Sequence, residues 1–313
     1  MPETRLYLFG APRLEVQGQP VVIDTRKALA LLAYVLIENQ PQSRDTLATL
    51  LWPESDQSAA RAALRRTLSP LRRALSADLI DFGRELIAIH PGDDFWCDVI
   101  DFQARSAECR SHGHAEDQTC PRCLVPLQKA ASLYQDDFMS GFSLRDSAAF
   151  DDWQFFETDR LRREFAAVLE RLVAIQETQG DFSSAIEHAH RWLNLDPLNE
   201  TAHRALIALY AKSDQRNAAL RQYRQCVRIL DQELGVPPLE ETTSLYEAVK
   251  ENRLEKQVDG DAFSARKNLA VNPQIRDQAP IVVDLSPLVG RTHEWETLTQ
   301  LYGEITQDGL FAA

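Results

Sequence analysis

Five arginines and no acid lie between Ala59 and Leu75, in a chain of 313 residues whose formal net charge is −13. If this stretch is helical, at ~100° per residue Leu64, Leu68, Leu71 and Leu75 share one narrow stripe. Arg61, Arg65 and Arg72 flank the stripe. Arg66 and Arg73 point nearly away from it, with small Ala62 and Ser69 between them. A helix buried on one side and carrying guanidinium on the other suits a DNA major groove. The grooved side must be basic to meet phosphate and slim enough to enter. A solvated helix face with an arginine bias is the plain alternative. Pro70 removes one hydrogen bond and clashes with the carbonyl of Arg66, so a kink, or a restart at Ser69, is expected. On that division Arg61, Arg65 and Arg66 face the groove, while Arg72 and Arg73 lie near a phosphate strand.

A second constellation spans residues 109–123. Cys120 and Cys123 have the two-residue spacing that lets both thiolates reach one tetrahedral ion. Cys109 and His112 repeat that spacing, and His114 is a spare ligand. Four of these five groups make a Cys₃His zinc site, structural because no ligand position stays open. The alternative is a polar interhelical loop with reduced cysteines. Other chemistry is missing from the pattern. There is no Ser/His/Asp set, no paired carboxylates in a recognisable frame (Asp136 and Asp137 are merely adjacent) and no phosphate-cradling Gly-x-x-x-x-Gly-Lys-Ser/Thr loop. The reading is a non-enzyme that binds no nucleotide.

The totals agree with a binding protein. Lys+Arg is 34 and Asp+Glu is 47, so the whole chain is acidic. Residues 1–76, however, hold ten basic and seven acidic residues, a local +3 that leaves −16 for the rest. The local charge is the one that bears on DNA. Length predicts about two domains. No apolar run approaches the ~18 residues of a membrane span. The first residues lack a basic segment followed by an apolar one, so no secretory signal is read and a cytoplasmic chain with no membrane partner is expected. The five cysteines are then thiols or metal ligands rather than disulfides.

The arginine stretch needs elements to hold it. Leu6 to Phe9, Arg13 to Val16 and Val21 to Ile23 are β-prone runs punctuated by Gly and Pro, reading as a small antiparallel sheet. Thr25 reads as the N-cap of a very apolar helix to about Ile37, the central core helix. Arg26 and Lys27 sit in its first turn, where the helix dipole disfavours cations, which hints at a nearby anion, with a chance surface pair the plainer explanation. Ser43 caps a second helix that stops at Pro53. A turn and the arginine helix follow, a helix-turn-helix arrangement. Asp78 to Phe82 and Glu85 to Ile89 then form a hairpin with Arg84 at its tip, placed to contact backbone or minor groove. Strands, three helices and a terminal hairpin make a winged helix.

Beyond Leu124 helices dominate. Residues 136–142 read as a turn, and Phe150 to about Glu177 as one long amphipathic helix ended by Gly180. Displacing the chain by 34 residues aligns Ala185 with Ala219, Ala189 with Tyr223, Leu193 with Val227 and Leu195 with Ile229. That period is the tetratricopeptide signature, in which each helix pair covers the apolar face its neighbour leaves open. The fold class is mainly α: a winged helix-turn-helix domain (α+β) followed by an all-α tetratricopeptide-like repeat domain.

Together these stretches resemble the SARP-type bacterial transcriptional regulators, a winged helix followed by a bacterial transcriptional activator domain. The resemblance covers about residues 4 to 250. It rests on Leu-Tyr-Leu-Phe-Gly at 6–10, Thr-Arg-Lys-Ala-Leu-Ala-Leu-Leu-Ala-Tyr at 25–34, Leu-Leu-Trp-Pro at 50–53 and Ala-Arg-Ala-Ala-Leu-Arg-Arg at 60–66. In the second half it rests on Leu-Tyr-Gln-Asp-Asp-Phe at 133–138, Leu-Asp-Pro-Leu-Asn-Glu at 195–200, Ala-Leu-Arg-Gln-Tyr at 219–223 and Glu-Leu-Gly-Val-Pro-Pro at 233–238. Asp136, where the family usually has Gly, and Pro70 depart from its pattern. The resemblance implies that Arg61, Arg65 and Arg66 lie on the recognition helix. It also implies double-stranded DNA as partner, with RNA polymerase or further copies of the chain met by the repeats. The Cys/His insert is similar to one in a branch of these regulators. The runner-up reading is a tetratricopeptide adaptor module of a signalling ATPase.

The expected division is a winged-helix domain at 1–100, the activator domain at 101–252, a linker at 253–286 and the start of an ATPase-like module at 287–313. The last resembles the Val-Gly-Arg entry of signalling ATPases, at Val289-Gly-Arg291. With no phosphate loop following, a truncated or split gene is expected.

Overall fold

The computed structural model describes residues 3–21, 25–75, 79–114 and 118–253. The expectations for the linker and the ATPase-like tail lie outside the described residues, Arg253 apart, as do Val22, Ile23 and Asp78 at the ends of expected strands.

Strand β1 (Thr4–Tyr7) pairs antiparallel with β2 (Arg13–Val16), which pairs antiparallel with β3 (Gln19–Val21). Helix α1 (Arg26–Glu38) buries Leu31, Leu32, Val35 and Leu36 and ends at Asn39 in the left-handed region, φ 49°. After the short β4 (Gln42–Ser43), α2 (Arg44–Leu51) starts as expected: Ser43 Oγ accepts from the Thr46 amide at 2.9 Å. Asp56 does the same for α3 (Gln57–Ala74), accepting from the Ala59 amide at 2.9 Å. These side chains satisfy donors that the first turn leaves without partners.

Helix α3 runs through Pro70 and does not restart at Ser69. Leu64 and Leu68 before the proline and Leu71 and Leu75 after it are all buried, so the core grips the helix on both sides of the missing bond. The Leu75 amide still reaches the Leu71 carbonyl at 2.9 Å. Packing outweighs the local penalty.

The wing is β5 (Ile80–Phe82) against β6 (Leu86–Ile89), with β6 also paired to β4. The N-terminal sheet gains a member that the β-prone runs did not indicate: β7 (Phe95–Cys97) joins parallel to β1, Leu6 opposite Cys97. Helices α4 (Asp98–Glu108) and α5 (Leu124–Leu133) follow, then α6 (Ala148–Thr178), close to the expected long helix. The repeat helices are α7 (Phe182–Leu195), α8 (Glu200–Lys212), α9 (Arg216–Leu234) and α10 (Glu240–Lys250). Ala185 and Ala219, one period apart, are both fully buried where α7 and α9 need small residues against their neighbours. His203 on α8 stitches this stack: Gln222 Nε2 donates to its Nδ1 at 2.8 Å, and its Nε2 donates to the Pro197 carbonyl at 3.0 Å.

One contiguous core runs from Leu6 in β1 to Leu209 in α8. At its centre the buried Asp98 carboxylate accepts from the amides of Leu8 and Phe9 at 2.9 Å and of Val99 at 2.8 Å. The Met139 amide donates to the Leu8 carbonyl at 2.7 Å and the Gly10 amide to the Asp137 carbonyl at 2.9 Å. Phe9 packs on Tyr134 and Phe102, with ring centroids 4.5 and 5.5 Å away. Winged helix and helical region thus fold as one body. Asp98→Ala leaves the Leu8 and Phe9 amides buried without an acceptor and is expected to cost about 3 kcal/mol. Urea unfolding measures this, and a loss below ~1 kcal/mol would remove Asp98 from the central position assigned to it.

Candidate nucleic-acid interface and metal cluster

The buried stripe of α3 (Ala60, Leu64, Thr67, Leu68, Leu71) fixes which arginines face outward. Arg65, Arg66 and Arg73 are exposed and have no side-chain partner among the described residues. Arg61 and Arg72, on the flanks, are held. Arg61 Nε and Nη2 donate to the two oxygens of Asp45 at 2.5 and 2.6 Å. The bond from Arg61 holds the Asp45 carboxyl below the usual carboxylate range. Arg72 Nη2 donates to the Phe82 carbonyl at 3.2 Å, and its guanidinium lies 4.5 Å from the centroid of the Phe82 ring. The expected split therefore shifts: Arg73 joins Arg65 and Arg66 on the outward face, Arg61 is neutralised beside it, and Arg72 braces the wing.

Arg44, at the start of α2, carried no sequence signal. Its Nε donates to the Gly83 carbonyl at 2.9 Å. Burial, then the nearby Arg72 and Arg65, lower its pKa. Arg44, Arg65 and Arg72 thus lie close enough to repel one another. Arg84 is exposed in the turn between β5 and β6, as expected.

Arg26 and Lys27 turn towards the helical region. Arg26 Nε donates to the Ser143 carbonyl at 3.1 Å with its guanidinium 4.5 Å from the Phe142 ring. Lys27 Nζ pairs with Asp146 at 2.7 Å and lies 4.8 Å from the Trp52 ring. The anion hinted at by their unfavourable place on α1 includes a carboxylate from across the joint.

The Cys/His residues come together in two short 3₁₀ turns, Cys109–His112 and Pro121–Cys123. His112 Nδ1 and His114 Nε2 lie 3.2 and 3.1 Å from Cys123 Sγ, and Cys120 Sγ is 3.8 Å from His112 Nδ1. One ligand atom from each of these four lies within 4.8 Å of all the others. Two sulfurs and two nitrogens around a tetrahedral ion, with bonds of about 2.3 and 2.0 Å, sit at roughly such separations. The four that lie within mutual reach are two cysteines and two histidines, and the Cys109 thiol adjoins Cys123. Cys109 ends α4 fully buried beneath it. Burial, then the Cys109 and Cys120 thiols beside it, push Cys123 up to about 12. Arg171 from α6 approaches Cys123 Sγ at 3.6 Å.

A winged helix fused to stacked helical pairs, with a basic outward helix, is an arrangement similar to that of known bacterial regulators. The family described as "Bacterial transcriptional activator domain" matches residues 97–250. Transcriptional regulatory protein EmbR of Mycobacterium tuberculosis is 29% identical over 276 residues, covering 84% of this chain and 66% of its own length. Transcriptional regulatory protein MoaR1 of the same organism is 24% identical over 252 residues, covering 77% of this chain and 78% of its own. Regulatory protein AfsR of Streptomyces coelicolor is 23% identical over 245 residues, 75% of this chain and 23% of its own. The solved structure of Mycobacterium tuberculosis EmbR in complex with a low-affinity phosphopeptide superposes with a TM-score of 0.65 at 24% identity, covering 80% of this chain and 66% of that one. Residues 97–250 thus match the bacterial transcriptional activator domain, and the chain is similar to the SARP-type regulators that carry it. It spans 66% of the length of the EmbR relatives it matches. Among the described residues no helix is long and apolar enough to cross a membrane.

The bracing contacts separate two arginines that sequence alone treats alike. Arg72→Ala is expected to speed amide hydrogen exchange across 80–89, because the wing loses both the Phe82 carbonyl bond and the ring contact. Arg73→Ala is expected to leave that exchange unchanged. Equal profiles for the two variants would dismiss the brace.

Proposed function

We propose that this chain is a DNA-binding transcription activator, cytoplasmic and acting by binding rather than catalysis. The observation that carries the reading is the outward face of α3. Arg65, Arg66 and Arg73 project without partners among the described residues from a helix whose other side is locked into the core. The match of residues 97–250 to the bacterial transcriptional activator domain supports it. Arg84 on the wing and Arg44 beside it extend the basic surface. The helical region then contacts RNA polymerase or another copy of the chain on DNA. Phe155 and Phe156, exposed side by side on α6 at 69% and 67%, offer one apolar surface for such a contact. The adaptor reading has no comparable support, since the relatives found are transcriptional regulators.

The test is the salt dependence of binding to mixed duplex DNA. Wild type is expected to bind with a log–log slope of several, and Arg65→Ala/Arg66→Ala to lose affinity and about two units of slope. Weak, salt-insensitive binding by wild type would move the adaptor reading ahead.

We also propose that His112, His114, Cys120 and Cys123 hold a structural zinc ion, with Cys109 and Arg171 as its surroundings. Such an ion would staple the segment between α4 and α5, where little apolar surface is available to do so. Elemental analysis of protein purified without chelator is expected to find about one zinc per chain, and Cys120→Ser/His114→Ala to lose it. A content below ~0.2 in wild type would end this proposal.

A further inference from the structure

A pocket of about 810 Å³ opens where α1, α3 and the segment 141–146 meet. Among the described residues its walls carry four cations, Arg26, Lys27, Arg66 and Arg145, against the single acid Asp146. Lys27 already pairs with that acid, and Arg26 is held over Phe142. Arg66 and Arg145 are exposed and have no partner among the described residues. One comes from the winged helix and the other from the helical region.

Two further observations mark the pocket as built for an anion. Thr67 is 6% exposed and lines it, and its hydroxyl makes no hydrogen bond within the described residues. The residue is mostly covered, which leaves its hydroxyl free to meet a group in the pocket. The α1 N-terminus also opens here. Thr25 makes no side-chain cap, and no acid stands in the first turn. The Ala28 amide is met by the Thr25 carbonyl, but the partial positive charge of the helix start lies at the pocket lined by Thr25, Arg26 and Lys27. Cations, a helix start and a hydroxyl converging from several directions suit a tetrahedral oxyanion better than a planar carboxylate.

We infer that this pocket takes a phosphate group, and that Arg145 thereby brings the helical region into contact with the same ligand as the outward helix. The pocket lies along the flank of α3 next to Arg66. A backbone phosphate of DNA whose groove holds α3 is therefore the source the geometry favours, and this part rests on the DNA reading above. A free phosphate ester has the same chemistry and is separated by the test. The site itself stands independently of that reading.

The experiment uses the full chain as wild type, Arg145→Ala and Arg224→Ala, an exposed arginine of α9 with no partner among the described residues. Each is titrated with mixed duplex DNA across a salt series and, separately, with inorganic pyrophosphate by calorimetry. Arg145→Ala is expected to weaken DNA binding about three- to tenfold and to lower the salt slope by about one, while Arg224→Ala does neither. If Arg145→Ala leaves DNA binding unchanged but abolishes the pyrophosphate heat seen with wild type, the site stands and its ligand is a free phosphate ester. The same holds if wild type takes pyrophosphate but no DNA, and then only the DNA reading fails. If wild type binds DNA, Arg145→Ala matches Arg224→Ala on it, and pyrophosphate gives no heat, the phosphate site is overturned. No heat together with no DNA binding overturns both.

Discussion

The carboxylate of Asp98 is the constraint on which the rest of the arrangement depends. It is nearly fully buried, and a buried carboxylate is tolerable only when donors replace its water. Here the donors are backbone amides from two places, Leu8 and Phe9 at the end of β1 and Val99 at the start of α4. Because Asp98 directly follows β7, meeting those donors draws β7 alongside β1, and the parallel pairing follows. Phe9 is then delivered between Phe102 and Tyr134, and Tyr134 stacks on Phe165 of α6 at 4.1 Å. The first strand of the winged helix is thereby part of the packing of the helical region.

The second organising term is how acids are assigned near α3. An acidic chain can meet DNA only if the acids near the contact surface are occupied or distant. Asp56 spends its side chain on capping α3, and Asp45 is paired with Arg61. That pair is exposed, so it adds little stability. It removes a repulsive carboxylate from the edge of the basic face at the cost of one of the five arginines. What remains outward is compact: Arg65, Arg66 and Arg73, with the small Ala62 and Ser69 leaving room between them. Long side chains at those two positions would keep the backbone of α3 away from a groove floor.

What could be read from the sequence was what repeats locally. The leucine stripe of α3, the Ser43 cap, the long α6 and the alanines one period apart at 185 and 219 all announce themselves within a few turns. What could not be read depends on partners far along the chain. Strand β7 is three residues long and pairs some 90 positions away, so no alternation marks it. Asp98 looks like any acid opening a helix until its donors are known. Pro70 predicted a break because its penalty is local, whereas the leucines that overrule it act through the core. The Cys/His spacing was legible, but which of the five groups come within mutual reach was not. It turns on the end of α4, which buries Cys109 while the 3₁₀ turn lifts His112 towards Cys123. Arg26 and Lys27 registered as an anomaly against the helix dipole, and half of its resolution, Asp146, lies 119 residues downstream.

A shared core also limits how such a molecule can work. Two domains on a flexible linker would have to settle their relative orientation on binding, with an entropic cost for each residue ordered. Here β1, α4 and the 136–142 turn interlock, so the angle between α3 and the repeat stack is fixed when the chain folds. On the DNA reading, seating α3 in a groove then also fixes where Phe155 and Phe156 on α6 stand relative to the duplex. No conformational step is needed to present that surface, and a ligand that favours no second arrangement has none to select. Control by a small molecule would have to act where the joint is polar rather than where it is packed. That means the rim formed by Lys27, Asp146 and Arg26, whose contacts are exchangeable with solvent, and not the aromatic centre around Phe9, where separation would expose the core itself.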